Sequence, residues 1–382
     1  MKKEHWTYRL GGLLLWGVAM LFVGCSANDD DAEQSADNLL QIVPYIADYQ
    51  EMETRAGGEA TPPSGYYELN EENITKDISV GLFLLSTNSE WAENPPTPKY
   101  IRYSNGLWHS QASVKNCEGT DFYYLVFGFM PHTENMTTSI VKENGLYKLT
   151  IGGISAVVED DICFVTGVKG GEYIEDVFHS DPLVQGAFDY KGKAKDNYIR
   201  LLMDHLLASI QFKVKVDPTY DALRTIKLKS MKLTTPTGAI TATIKLKPNK
   251  TGISPIDEIG FTSGVGSSSV TLYESKDGED GLTLSSTTVL SEELSPCYHV
   301  PFETALGNML TLETTYDVYD KNVTADHPKG NLIRRDCKAF NTLPTGKTGG
   351  RGEKVTINLT VNPTYLYMLS EPDLDNPTMT VN

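Results

Sequence analysis

Acid–base chemistry has one local candidate in this chain, the neighbouring residues Asp204 and His205. An imidazole beside a carboxylate can accept and release a proton near neutral pH. The pair stands where an apolar segment enters an alternating strand, so a hydrogen-bonded structural histidine is the favoured interpretation. The seven histidines include no pair at the i, i+4 spacing of a helical zinc site, and no Gly-x-Ser-x-Gly nucleophile elbow is present. The sequence therefore predicts no catalytic residue and a protein that is not an enzyme.

Two other patterns match ligand-binding loops only in part. Residues 345–348, Thr-Gly-Lys-Thr, match the end of a phosphate-binding loop, but Asn341 stands where that loop needs a glycine. Asp277, Glu279 and Asp280 surround a glycine and could contact calcium, yet a solvated hairpin is the simpler interpretation. Neither pattern leads us to expect a metal or a cofactor.

Cysteine usage points to attachment rather than to redox or zinc chemistry. Cys25 follows an apolar run, and the other four cysteines form no Cys-x-x-Cys pair. These four are Cys117, Cys163, Cys297 and Cys337. In an exported chain they could form two disulfides in any of three connectivities, or remain buried thiols, and the sequence leaves both possibilities open.

The N-terminus has the organisation of an export signal. Three basic residues precede an apolar run over residues 10–23, which is shorter than the roughly 20 residues that span a bilayer. Residues 21–25, Leu-Phe-Val-Gly-Cys, resemble the lipobox of bacterial lipoproteins. We therefore expect residues 1–24 to be a signal peptide and Cys25 to receive the lipid. The alternative is a plain secretory signal followed by a cysteine without a role.

Charge excludes two classes of partner. Removal of residues 1–24 takes away three basic residues and one acidic residue, which leaves 30 basic and 49 acidic residues and a net charge of −19. Such a surface repels nucleic acid and anionic lipid, so acyl chains rather than charge must hold the protein to a membrane. The acidic run after Cys25, over residues 29–33, is a solvated tether, and it also resembles the surface-export signal of Bacteroides-type lipoproteins.

The elements that follow are predicted to be strands. Residues 210–216, 240–246 and 355–361 alternate apolar with polar side chains, as half-buried antiparallel strands require. Residues 122–130 are continuously apolar and aromatic, which predicts a central strand covered on both faces. Helical periodicity is weak, and its best candidate is residues 197–207. The pattern predicts an all-β protein of sandwich-like domains, with a domain boundary near residue 240.

Three segments, in this order along the chain, resemble the fimbrillin family of Bacteroides-type bacteria. The first comprises residues 39–46, Leu-Leu-Gln-Ile-Val-Pro-Tyr-Ile, and then residues 53–58, Glu-Thr-Arg-Ala-Gly-Gly. The second, residues 204–214, is similar to the family's His-Leu-x-Ala-x-Ile strand. The third is the C-terminal region 355–382, with a Thr-Ile-Asn-Leu-Thr-Val strand and a Pro-containing end.

The resemblance implies two transthyretin-like β-sandwich domains in series, at residues 56–240 and 241–382. It also implies that residues 25–55 form a lipidated tether and a removable first strand. An arginine-specific protease would cut between Arg55 and Ala56. The inward residues of the removable strand would be Leu40, Ile42 and Ile46.

In function, the resemblance implies a structural subunit of an outer-membrane-attached cell-surface fimbria that supports cell adhesion. Removal of the first strand would open a groove, and a strand of another fimbrial subunit would fill it by β-strand addition. The C-terminal segment, residues 370–382, could be that donor or could close its own domain. Three alternatives stay open: Arg55 is an ordinary loop residue, the protein is a lipid-retaining fimbrial anchor, or it is a monomeric glycan- or host-binding surface lipoprotein.

Overall fold

The computed structural model describes most of the chain after the export signal. The described residues are 41–52, 65–70, 72, 74, 78–86, 99–104, 107–110, 124–170, 187–188, 198–247, 256–301, 310–328, 330–341, 350–365 and 372–381. Cys25, Leu40, Arg55, Ala56 and Cys117 lie outside them. No helix among the described residues has the length and apolarity needed to cross a membrane.

Strands dominate the described residues, with one short helix. Up to the helix, the strands are β1 (Gln41–Ala47), β2 (Gln50–Met52), β3 (Tyr66–Glu68), β4 (Ile78–Ser86), β5 (Lys99–Ser104), β6 (Leu107–Ser110), β7 (Tyr124–Met130), β8 (Thr137–Glu143), β9 (Leu146–Ser155), β10 (Val157–Val158), β11 (Cys163–Gly170), β12 (Ala187–Phe188), β13 (Tyr198–His205) and β14 (Ala208–Val216). Helix α1 (Pro218–Leu223) follows, and the Asp217 carboxylate caps it by accepting from the backbone N–H groups of Thr219 and Tyr220. The remaining strands are β15 (Arg224–Thr235), β16 (Ala239–Leu246), β17 (Ile256–Ser263), β18 (Ser268–Glu274), β19 (Leu282–Leu284), β20 (Cys297–His299), β21 (Thr311–Asp320), β22 (Leu332–Asn341), β23 (Glu353–Tyr365) and β24 (Pro372–Val381).

The strands form four sheets. The nine-stranded sheet has the order β3-β1-β13-β11-β7-β4-β5-β6, with β12 also paired to β7. The six-stranded sheet has the order β10-β20-β14-β23-β2, with β24 also paired to β23. The five-stranded sheet is β18-β15-β21-β22 with β19 on β15, and the four-stranded sheet is β17-β16-β9-β8.

The alternating segments form the strands that their pattern predicts. In β14, Ile210, Phe212, Val214 and Val216 are buried, while the residues between them are partly or fully exposed. The same alternation of burial runs along β16. Strand β7 lies inside the nine-stranded sheet, and its residues 125–130 are all buried, as the continuous apolar run predicts.

Within residues 197–207, the best helical candidate, residues 198–205 form strand β13 instead. Strand β13 pairs with β1 on one side and with β11 on the other. Residues 200–203 are all buried, so both faces of the strand are covered. A strand covered on both faces has no period-two alternation, and a short apolar run of this kind cannot be told from a helix by periodicity.

Hydrophobic clusters lie between and beside the sheets. One joins the six-stranded and five-stranded sheets through residues of β14, β23, β15 and β21. A second joins the nine-stranded sheet to the four-stranded one. A third, which includes Ile42 and Ile46, covers the other face of the nine-stranded sheet.

Candidate functional site

The N-terminal strand β1 is held at one end of the nine-stranded sheet. It pairs in parallel with β13 from Gln41, opposite Tyr198, to Ile46, opposite Met203. On its outer side, β3 pairs only with the last three residues of β1. Loss of β1 would therefore open the edge of β13, a strand whose other edge is paired with β11.

Alternate side chains of β1 enter the core beside β13. Ile42 is 2 % exposed and Ile46 is 3 % exposed, and both pack in a cluster that includes Leu201 and Met203. Full burial of an isoleucine side chain is worth about 1.5–3 kcal/mol. Tyr45 points to the opposite side, where it packs with Leu202 and donates a hydrogen bond of 2.6 Å to the Glu68 carboxylate.

Pro44 occupies a place in β1 where the absence of an N–H group costs no bond to β13. Its carbonyl accepts from the Leu69 backbone N–H at 3.0 Å, on the β3 side of the strand. In a strand, the N–H and C=O of one residue point to the same side, so the missing donor of Pro44 also faces away from β13. A proline at this position is consistent with a strand at or near a sheet edge.

The segment that contains β1 continues into a second sheet. Strand β2 pairs in parallel with the start of β23, with Gln50 opposite Glu353 and Met52 opposite Val355. Strand β14 occupies the other edge of β23 over residues 354–361, so β2 and β24 share one edge, with β24 farther along. Residues 41–52 therefore supply strands to two sheets. The C-terminal strand β24 pairs within its own chain.

A buried polar cluster lies where the chain passes from β1 to β2. We call Asp161, Cys163 and His205 the Asp–Cys–His cluster. The His205 Nδ1 atom is 2.6 Å from Asp161 Oδ2 and 3.6 Å from Cys163 Sγ, and that sulfur is 3.4 Å from the same Oδ2. His205 is 1 % exposed, and the Asp161 side chain is 15 % exposed. These three residues could hold a metal ion.

The same histidine binds the end of β1. His205 Nε2 donates to the Ala47 carbonyl at 2.6 Å, since a carbonyl can only accept. The Tyr49 ring stacks on the imidazole with 3.6 Å between ring centroids. Burial, aided by the neighbouring Asp161 carboxylate, raises the pKa of both the Tyr49 phenol and the Cys163 thiol. The cluster thus connects the segment between β1 and β2 to β11 and β13.

The loop before β23 packs behind His205. The Arg351 guanidinium donates to the His205 carbonyl at 2.8 Å and pairs with Asp204 Oδ2 at 2.6 Å. The Gly352 backbone N–H donates to the Leu207 carbonyl at 3.0 Å. Gly352 has a φ of 71°, which favours glycine, and an added Cβ would meet the His205 ring at 3.6 Å. Asp204 and His205 are therefore structural, hydrogen-bonded residues, as their sequence context predicts.

Three further candidates from the sequence are the acidic hairpin around Gly278, the Thr-Gly-Lys-Thr segment and the remaining cysteines. Around Gly278, Lys227 Nζ lies 3.3 Å from Asp280 Oδ2, and Lys229 donates to the Glu279 carbonyl, so lysines contact this hairpin. The Thr-Gly-Lys-Thr segment at 345–348 is outside the described residues. Cys163 and Cys297 are buried free cysteines and Cys337 is an exposed one.

Sequence reasoning singled out His205 but did not predict the Asp–Cys–His cluster. Asp161 and Cys163 are two residues apart, but His205 follows 42 residues after Cys163. No local spacing reveals such a group, because the pairing of β11 with β13, with Cys163 opposite His205, creates it. A prediction that β11 pairs with β13 would have been needed to identify the cluster from the sequence.

A pocket of about 360 Å³ begins beside the cluster. Its lining includes the polar residues Asn135, Glu159 and Asp160 and the apolar residues Val157 and Ile162. A mixture of apolar walls and a few polar groups is the usual composition of a small-molecule site.

Solved structures of fimbrial and cell adhesion proteins align with about 90 % of the chain at low TM-scores and low sequence identity. A fimbrial protein from Bacteroides vulgatus shares 15 % identity with a TM-score of 0.38, covering 89 % of this chain and 98 % of that one. A protein from Bacteroides uniformis described as a cell adhesion protein shares 12 % identity with a TM-score of 0.36, covering 91 % and 98 %. The fimbrial anchor protein of Porphyromonas gingivalis shares 10 % identity with a TM-score of 0.20, covering 90 % and 97 %. No family model matches the sequence, and no curated protein matches it.

Proposed function

We propose that this protein is a structural subunit of a bacterial cell-surface fimbria that supports cell adhesion, and that it acts without enzymatic chemistry. It is exported as a lipoprotein on Cys25 and reaches the outer membrane surface. Cleavage between Arg55 and Ala56 then releases residues 25–55, and subunits join by strand exchange. The matched Bacteroides and Porphyromonas proteins are described as fimbrial or cell adhesion proteins, but the proposal rests on strand geometry.

One observation carries the proposal. The described residues before Arg55 form β1 and β2, which lie on strands of two different sheets. A single cut after Arg55 therefore frees both strands at once, and their departure would uncover the edge of β13 and the first residues of β23. Uncovered edges of this kind bind an incoming strand through main-chain hydrogen bonds.

The uncovered surface would also be selective for the sequence of an incoming strand. The side chains of Ile42 and Ile46 fill apolar space beside Leu201 and Met203, and their loss would leave two pockets at alternate positions. An incoming strand with apolar residues at the same spacing would be fixed in register, because a slip by one residue turns its apolar side chains outward. The proposal includes two transthyretin-like domains, at residues 56–240 and 241–382.

Limited proteolysis tests the proposal. The purified full-length protein is treated with an arginine-specific protease, and products are followed by mass spectrometry and by size-exclusion chromatography with light scattering. We expect one early cut after Arg55, loss of the N-terminal fragment and growth of oligomers. Arg55→Ala should remain intact and monomeric, whereas Arg102→Ala, at an exposed arginine of β5, should behave like the wild type. Cleavage without oligomers would contradict the proposal.

Glycan binding is the second candidate function, and the pocket beside Glu159 and Asp160 is the observation that favours it. Carboxylates and an amide over an apolar floor can bind sugar hydroxyls and ring faces. Binding of the uncleaved Arg55→Ala monomer to a glycan array, abolished by Glu159→Ala, would support this function. A lipid-retaining fimbrial anchor would instead keep Cys25 and never lose β1.

A further inference from the structure

We propose that the Asp–Cys–His cluster is a zinc site, with Cys163 Sγ, His205 Nδ1 and an Asp161 carboxylate oxygen as its three protein ligands. Thiolate, imidazole and carboxylate are the three ligand types that bind Zn²⁺ in proteins. The three atoms already lie within 4.8 Å of one another and come from the neighbouring strands β11 and β13 and the turn before β11.

The distances are close to those of a tetrahedral site. Zn–S and Zn–N bonds of about 2.3 Å and about 2.0 Å at a tetrahedral angle place sulfur and nitrogen about 3.5 Å apart. The Cys163 Sγ to His205 Nδ1 distance is 3.6 Å, and the Cys163 Sγ to Asp161 Oδ2 distance is 3.4 Å. The Asp161 oxygen, now 2.6 Å from Nδ1 in a hydrogen bond, must withdraw by about 0.7 Å to admit the metal.

The orientation of His205 is the one that a ligating histidine needs. A zinc-bound histidine usually donates its other ring N–H to a carboxylate or a backbone carbonyl. The Nε2–H of His205 donates to the Ala47 carbonyl, which directs Nδ1 to Asp161 and Cys163. The stacked Tyr49 ring and the buried surroundings hold the imidazole in this plane.

The Tyr49 hydroxyl and Asp161 Oδ1 are buried, and the Tyr49 phenol interacts with the Asp161 side chain. Tyr49 therefore contacts both the carboxylate and the imidazole of the cluster. Asp161, whose side chain is 15 % exposed, supplies the route from solvent.

Charge balance also suits Zn²⁺. The ligand form of Cys163 is the thiolate, so binding would release the thiol proton. The thiolate and the Asp161 carboxylate then neutralise the dication, with neutral imidazole as the third ligand. A neutral assembly of this kind can be buried without the penalty of an uncompensated charge.

The site would hold the segment that links β1 to β2, since the Tyr49 ring stacks on His205 and the Ala47 carbonyl accepts from it. The effect of zinc on strand exchange, though not the zinc site itself, rests on the proposed function. On release of residues 25–55 the site would lose both contacts, so zinc would oppose strand exchange.

Metal titration of the purified, uncleaved full-length protein, first stripped with a chelator, tests the site. We expect one Zn²⁺ per chain by calorimetry, and Co²⁺ as a spectroscopic probe should give a thiolate charge-transfer band. Loss of an outer-shell partner alone costs about 10- to 100-fold in affinity, so Cys163→Ser should cost at least about 100-fold and remove the band. The matched control is Cys297→Ser, which changes a buried free cysteine in another cluster. It should leave the zinc affinity and the charge-transfer band unchanged.

Wild-type protein that binds no metal at one equivalent would overturn the proposal and leave a hydrogen-bonded cluster. Equal binding by Cys163→Ser would do the same, because Cys163 would then not be a ligand. If circular dichroism shows that Cys163→Ser is unfolded, Asp161→Asn, at a partly exposed position, serves instead and should weaken binding. The measurement involves no cleavage or assembly, so its outcome is independent of strand exchange.

Discussion

His299, in β20, is an ionisable residue that the fold buries completely. Burial disfavours the charged imidazolium and lowers the pKa of His299 to about 4. The unfolded chain, in which a histidine has a pKa of about 6.5, therefore binds a proton that the folded protein does not bind between these two pH values. This residue makes the protein less stable as the pH falls through that range.

We predict that the His299 contribution to the free energy of unfolding falls by about 2 kcal/mol between pH 7 and pH 5. His299→Gln removes the titrating group. Between pH 7 and pH 5, the free energy of unfolding of this variant should therefore fall by about 2 kcal/mol less than that of the wild type. Denaturation with urea at both pH values measures the difference. His327→Gln, at an exposed loop position, should retain the full wild-type pH dependence. Equal slopes for His299→Gln and the wild type would contradict the assignment.

Substitution of Ile46 measures how much the packing of β1 contributes to the stability of the fold. Ile46→Ala removes buried methyl groups beside Met203 and should reduce the free energy of unfolding by about 2–5 kcal/mol, because a cavity remains. Val141→Ala, at an exposed position of β8, should cost about 0.5 kcal/mol or less. Denaturation curves of both variants make the comparison. A cost at Ile46 no greater than that at Val141 would show that β1 contributes little to the core.

Individual residues also show where sequence reasoning succeeds. Burial of Ile210, Phe212 and Val214 follows from their alternation, because one face of β14 must meet a core. The Asp–Cys–His cluster could not be predicted in this way, since its members become neighbours only through the pairing of β11 with β13. Local patterns determine which way a side chain points but not which distant residue it meets.

At the scale of elements, β1 and β2 are the part of the fold on which the proposed assembly depends. If they leave after cleavage, the backbone N–H groups of β13 that face β1, and those at the start of β23, lose their partners. We predict faster hydrogen–deuterium exchange for peptides that cover Tyr198–His205 and residues 353–355 in the cleaved monomer. Exchange is measured by mass spectrometry before oligomers form.

Strand β15 is the internal control for that experiment. It pairs with β18, β19 and β21, and with neither β1 nor β2. Its exchange should be the same before and after cleavage. Unchanged protection of β13 after cleavage would mean that the N-terminal strand stays in place, and strand release would be excluded.

Elements differ in how well the sequence predicts them. The alternating strands β14, β16 and β23 are half-buried, so their period is visible. Strand β13 is covered on both faces, and burial on both sides removes the period that would identify it as a strand. The sequence also does not indicate that β2 pairs with β23, since β2 has only three residues and so short a segment has no periodicity.

In the whole molecule, the predicted export signal precedes the two strands that the proposed assembly exchanges. The lipobox-like segment predicts that Cys25 ties the protein to a membrane. Strands β1 and β2 lie between that anchor and Arg55, so one cut would remove the lipid and the strands together. The anchor would then serve delivery, and strand addition to other subunits would provide the final attachment.

The measurement that tests this account most directly is the N-terminus of the protein isolated from the bacterial surface, determined by mass spectrometry. The account predicts an N-terminus at Ala56 in subunits recovered from oligomers, with residues 25–55 absent. A subunit that retains a lipidated Cys25 within the assembled material would contradict it.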